Sequence, residues 1–175
     1  MNLPNKLTIL RIIMIPVFII VLMTGHYYTS AVIFIIASST DALDGYIARK
    51  YNMITNFGKI MDPLADKLLV VSALLCLVEL GDVASWMVIV ILAREFTVTG
   101  LRTVAAASGI VIAAGLTGKI KTVLQMIAVP ALLLKNWPFE MIGFPFAEIM
   151  LWASVIMTIV SGAEYVIKNK NIFSM

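Results

Sequence analysis

Apolar positions along this chain come in long runs rather than in narrow stripes. Residues 7–24 are broken only by Thr8, Arg11 and Thr24. Runs of this length predict membrane-spanning helices, because about 20 residues cross a hydrocarbon core ~30 Å thick. Five more follow, at about 27–48, 59–80, 84–103, 119–136 and 147–167. The pattern predicts an all-α, polytopic integral membrane protein with six transmembrane helices. Residues 1–175 read as one domain, since no polar linker or composition break divides them. Pro4 suits the start of the first helix. The Ala- and Gly-rich stretch 104–118 is too short for a span and is expected to connect the fourth and fifth as a packed turn or re-entrant segment. Lys6 and Arg11 around the first run suggest a signal peptide, a reading set aside because five further spans follow.

Composition supports this pattern. The chain is 61% hydrophobic and only 13% charged, where soluble domains carry about 25% charged residues. With six spans and alternating sides, Lys6, Arg11, Arg49, Lys50, Lys59, Lys67, Arg94, Arg102, Lys119, Lys121, Lys168 and Lys170 collect on one side. Lys135 alone falls on the other. The positive-inside rule then puts both termini, and the segment between the second and third spans, in the cytoplasm of a cell whose inner membrane holds the protein. The formal charge of +3 is too small and too scattered for a nucleic-acid surface. Cys76 has no intrachain partner for a disulfide, and His26 is the only histidine, which leaves little for a Ser-His-Asp or Cys-His mechanism. Tyr27, Tyr28, Trp86, Trp137 and Trp152 lie mostly near predicted outer ends, as interface anchors do.

The exception to the apolar pattern is DALDGYIARKYNMITNFGKIMDPLADK, residues 41–67. It holds four of the chain's ten acidic residues. Asp41 and Asp44 are three apart and Asp62 and Asp66 four apart, so each pair shares a helix face. Carboxylates are costly near lipid and repel one another, and a hard divalent cation answers both problems. Mg²⁺, or Mn²⁺, is expected, with Ca²⁺ possible and zinc disfavoured because no His or Cys is near. Four carboxylates have the capacity for two ions with shared ligands, an arrangement suited to phosphoryl chemistry. A carboxylate at its edge would take a proton from an attacking hydroxyl. Gly45, Ala48 and Gly58 leave room for a ligand against the helix backbones, or for close helix packing. Arg49 adds a fixed cation. A divalent-cation transporter would place such ligands near the bilayer midplane, often within inverted repeats, and none is visible here. An intramembrane prenyltransferase would carry its Asp-rich motifs on separate, distant loops.

The spacing Asp41-x2-Asp44-Gly45-x2-Ala48-Arg49-x8-Gly58-x3-Asp62-x3-Asp66 resembles the full signature of the CDP-alcohol phosphotransferase family, without departure. The lead-in Pro4-Asn5-x2-Thr8-x2-Arg11 is similar as well. So are Arg94-Glu95-Phe96 through Gly100-Leu101-Arg102 and Gly118-Lys119-x-Lys121-Thr122, which resemble the bacterial branch that uses glycerol 3-phosphate as acceptor. The resemblance implies a six-helix membrane enzyme, often a homodimer, that transfers a phosphatidyl group from CDP-diacylglycerol to an alcohol and releases CMP. It implies that Asp41, Asp44, Asp62 and Asp66 ligate metal, with Asp66 also the base. Thr8, Gly45, Ala48, Arg49 and Gly58 would line the CDP site, and Arg94, Arg102, Lys119 and Lys121 would bind the acceptor's phosphate. Glu95 is an alternative partner for a neighbouring cation. Serine, inositol phosphate and phosphatidylglycerol are the acceptors that the Asp signature alone leaves open.

Overall fold

The computed structural model describes residues 2–51, 55–109, 112–113 and 115–169, with backbone alone considered at 3, 4, 41–46, 48, 49, 56 and 59. Among these residues six α-helices follow one another: α1 (Leu3–Met23), α2 (Tyr27–Lys50), α3 (Asn56–Glu79), α4 (Ser85–Ala107), α5 (Leu116–Leu133) and α6 (Phe146–Lys168). A 3-10 turn at Phe139–Ile142 precedes the last. Among the described residues there is no strand.

Among the described residues, three helices are long and apolar enough to cross a membrane: α1 from Asn5, α5 and α6. Among the described residues the apolar part of α2 is Tyr27–Thr40, and the Asp motif follows it in the sequence. Outward faces carry Ile13, Ile20, Ile89 and Ile156, each more than half exposed. Such faces suit a hydrocarbon solvent.

The boundaries of α4 and α5 differ from expectation. Helix α4 runs on through Ala107, because Ala105, Ala106 and Ala107 are strong helix formers, and it ends at Ser108 before Gly109 at φ +75°. Helix α5 begins at Leu116, so the connection shrinks to 108–115. It also stops at Leu133 rather than 136, where Lys135 and Asn136 turn to φ 53° and 63°.

Helices α1–α3, with the chain to Asp82 and Leu133–Lys135, form one compact unit; α4, α6 and most of α5 form a second. In the first, α1 packs against both α2 and α3. Its buried face is Asn5, Thr8, Arg11, Ile15, Phe18 and Leu22, a helical stripe that is polar at one end and apolar at the other. Phe18 meets Phe34 of α2 with ring centroids 5.9 Å apart. Ala31 and Ala37 keep the α2 side of that contact small. At the far end of this unit Lys135 Nζ donates to Asp82 at 2.6 and 2.8 Å and lies 4.3 Å from the centre of the Tyr27 ring. In the second unit α4 packs along α6, with Trp86 and Trp152 5.6 Å apart. Asn136 fixes the start of α6, accepting from Ala147 N–H and donating to Phe144 O.

Candidate active site

The signature falls on two helices of the first unit. Asp41, Asp44, Gly45, Ala48 and Arg49 lie in the last turns of α2, where their side chains fall outside the described residues. Gly58, Asp62 and Asp66 lie in the first three turns of α3. Thr55 starts that helix: its hydroxyl accepts from Gly58 N–H at 3.0 Å and donates to Asn5 Oδ1 at 2.9 Å. One N-cap thereby ties the beginning of α3 to the beginning of α1.

Thr8, one turn along α1 from Asn5, donates its hydroxyl to Asp62 Oδ1 at 2.5 Å. A Cβ added at Gly58 would meet Asp62 Oδ2 at 3.2 Å and Thr55 Oγ1 at 3.3 Å. The bare backbone at Gly58 therefore leaves a cradle for the other carboxylate oxygen. Asp66 follows one turn later on the same face, partly buried. Thr8 is fully enclosed, with its hydroxyl on Asp62.

Arg11, one of the twelve cations on the positive side, also has a place inside the first unit. It is completely buried, and its Nε donates to Ala37 O at 3.1 Å and Thr40 Oγ1 at 3.4 Å. A cation within a helix pair holds the backbone of α2 just before Asp41. The spacing Asn5, Thr8, Arg11, three residues each time, was the signal that these side chains share one inward face.

The second unit gathers some of the expected acceptor cations and not others. Glu95 Oε1 accepts from Arg94 Nη1 at 3.1 Å and from Lys121 Nζ at 2.5 Å, which joins α4 to α5. Arg94 Nε donates to Ser161 Oγ of α6 at 3.1 Å. Arg102 lies apart from these groups: its Nε donates to Tyr165 Oη at 3.3 Å. Lys119 is exposed. Near the same end, Thr117 Oγ1 donates to Glu164 Oε2 at 2.7 Å and Lys168 Nζ reaches Glu164 Oε1. The residues sequence reasoning missed are Ser161, Tyr165 and Glu164, polar positions of α6 that stand inside an apolar run.

Residues 1–160 match the sequence profile of the family described as CDP-alcohol phosphatidyltransferase. The chain belongs to that family. Similar proteins share nearly its full length. A Bacillus subtilis protein named CDP-diacylglycerol–glycerol-3-phosphate 3-phosphatidyltransferase is 53% identical over 96% of this chain and 95% of its own. A protein of the same name from Rickettsia bellii is 43% identical over 94% and 93%. A Mycobacterium tuberculosis protein named probable phosphatidylglycerophosphate synthase is 40% identical over 94% of this chain and 80% of its own. Family membership makes the chain a transferase of CDP-alcohol chemistry.

Proposed function

We propose that this protein transfers the phosphatidyl group of CDP-diacylglycerol to the sn-1 hydroxyl of glycerol 3-phosphate, giving phosphatidylglycerophosphate and CMP. The observation that carries the proposal is full-length similarity, at 53% identity, to a protein named for that reaction. The intact eight-position signature supports the donor half of it.

Asp41, Asp44, Asp62 and Asp66 would hold two Mg²⁺ or Mn²⁺ ions. The described donors fit such a group: carboxylate oxygens alone, on one face of α3, with the space beside Asp62 Oδ2 kept open by Gly58. When bound, the metal neutralises charge on the pyrophosphate and on departing CMP. Thr8 holds the Asp62 carboxylate in one rotamer, as an outer partner does for a ligating group. Arg49 supplies a fixed cation for the nucleotide's phosphates, and Gly45, Ala48 and Gly58 let the CDP moiety approach the helices. Asp66 takes the proton of the sn-1 hydroxyl as its oxygen bonds to the β-phosphorus. The bond from that phosphorus to the bridging oxygen breaks, and the electron pair leaves with CMP.

Arg94, Arg102, Lys119 and Lys121 serve the acceptor's phosphate, with Arg94 placed best by its planar fork and by its cost in an apolar run. The twelve-to-one distribution of Lys and Arg supports six crossings, cytoplasmic termini and a cytoplasmic signature, in the inner membrane. We read the active form as a homodimer by family resemblance.

The test is CMP release from CDP-diacylglycerol by the purified protein with Mg²⁺ and a panel of acceptors. Glycerol 3-phosphate is expected to support turnover, and serine, inositol phosphate and phosphatidylglycerol are not. No CMP with any acceptor would overturn the enzyme reading. CMP with serine but not glycerol 3-phosphate would overturn only the acceptor.

A further inference from the structure

We infer that α6 is the template that fixes the reach of the two acceptor arginines, with Ser161, Gly162 and Tyr165 as positioning residues. The inference rests on the proposed role of Arg94 and Arg102 and goes beyond it, because α6 itself brings neither arginine.

Arg94 is held along its length. A Cβ at Gly162 would meet Arg94 Cγ at 3.1 Å and its Cβ at 3.8 Å, so the stem of the arginine lies directly on the bare backbone of α6. One residue earlier, Ser161 Oγ accepts from Arg94 Nε at 3.1 Å while donating to Thr158 O at 3.2 Å. With its proton committed to the helix, that hydroxyl meets the guanidinium as an acceptor. Glu95 takes Nη1, and Gly118 of α5 leaves the far edge open, since a Cβ there would stand 3.0 Å from Nη2. Two of the three nitrogens of the fork are committed to protein. Nη2 makes no hydrogen bond among the described residues, and its donors are the ones available to a phosphate.

One turn further along α6, Tyr165 repeats the device for Arg102. Its ring is buried against Val98 and Leu101 of α4. Its hydroxyl accepts from Arg102 Nε at 3.3 Å, and the guanidinium carbon lies 5.5 Å from the ring centre. Each arginine is thus gripped at Nε by an oxygen of α6, which leaves Nη2 of Arg94 and the outer end of the Arg102 fork for ligand. A long side chain ordered before the ligand arrives loses less freedom on binding it, and that gain is in affinity for the group it contacts.

The experiment measures kcat and both KM values for Ser161→Ala, Gly162→Ala and Tyr165→Phe in the full-length purified enzyme. Each is expected to raise KM for glycerol 3-phosphate by about threefold to tenfold, the effect of one ordinary hydrogen bond, with KM for CDP-diacylglycerol unchanged. Ser161→Thr, which keeps the hydroxyl, is expected to restore the acceptor KM. Equal rises in both KM values, or a fall in kcat alone, would overturn the inference. If Gly162→Ala does not fold, the other two variants, which only delete atoms, decide the matter. Arg94→Lys separates the two levels of the argument. Normal acceptor KM in that variant overturns the role of Arg94 itself, whereas a raised value beside normal α6 variants overturns only the positioning role.

Discussion

At the scale of single residues, Asp62 and Asp66 share a helix face and face different demands. Asp62 has one oxygen bonded to Thr8 and the other cradled at Gly58. That is the setting of a ligand kept in one orientation. Asp66, one turn on, is the proposed base. Asp66→Asn keeps the size and loses the basic oxygen, and it should lower turnover by at least about 100-fold, the common worth of general base catalysis. Binding of the CDP-lipid, followed by its protection against thermal unfolding, should persist. Near-normal turnover would assign the base elsewhere. Thr8→Val removes the hydroxyl that orients Asp62 with little change in volume. Activity should fall about 10- to 100-fold, as loss of a ligand's outer partner does, and the apparent Mg²⁺ requirement should rise. An unchanged Mg²⁺ dependence would make Thr8 a packing residue only.

At the scale of helices, the N-cap of α3 is the joint on which the signature turns. Thr55 caps the helix and also reaches Asn5 of α1. Thr55→Ala should cost about 1 kcal/mol of stability, read as a lower thermal midpoint in detergent, with activity falling more than the midpoint suggests because Gly58 and Asp62 follow within two turns. Wild-type activity would show that the α1 contact does not set the site. The helices themselves were legible in the sequence: long apolar runs interrupted by loops place all six within a few residues. Residues 104–118 were less so, because alanine suits both a helix end and a packed turn, and only the backbone decides between them. What the sequence concealed was the inward placement of charge. Arg11, read as a cytoplasmic cation, and Lys121, read as a cation for the acceptor's phosphate, are both buried and bonded between helices. A hydropathy pattern counts a charge without telling whether water or another helix receives it. Glu95, a possible partner for a neighbouring cation in the sequence, does pair with Arg94 and Lys121. The α6 partners escaped notice because isolated Ser and Tyr inside an apolar run carry no pattern until a second helix is laid beside them.

At the scale of the whole molecule, the carboxylate signature and the cationic cluster belong to separate compact units. The spacing in the sequence outlined the first, whose α2 side chains lie outside the described residues. It named the second only in part. The proposed topology predicts that a cysteine at Tyr51, in a Cys76→Ala background, reacts with a membrane-impermeant maleimide only from the cytoplasmic face. A cysteine at Trp137 should react only from the opposite face, and the reverse result would invert the molecule. The central claim is attack by the sn-1 oxygen on the β-phosphorus, and glycerol 3-phosphate labelled with ¹⁸O at its sn-1 hydroxyl tests it most directly. One CMP should appear for each phosphatidylglycerophosphate formed, with the label retained in the lipid's new phosphodiester and none in CMP. Label in CMP, or CMP formed without labelled lipid, would contradict the account.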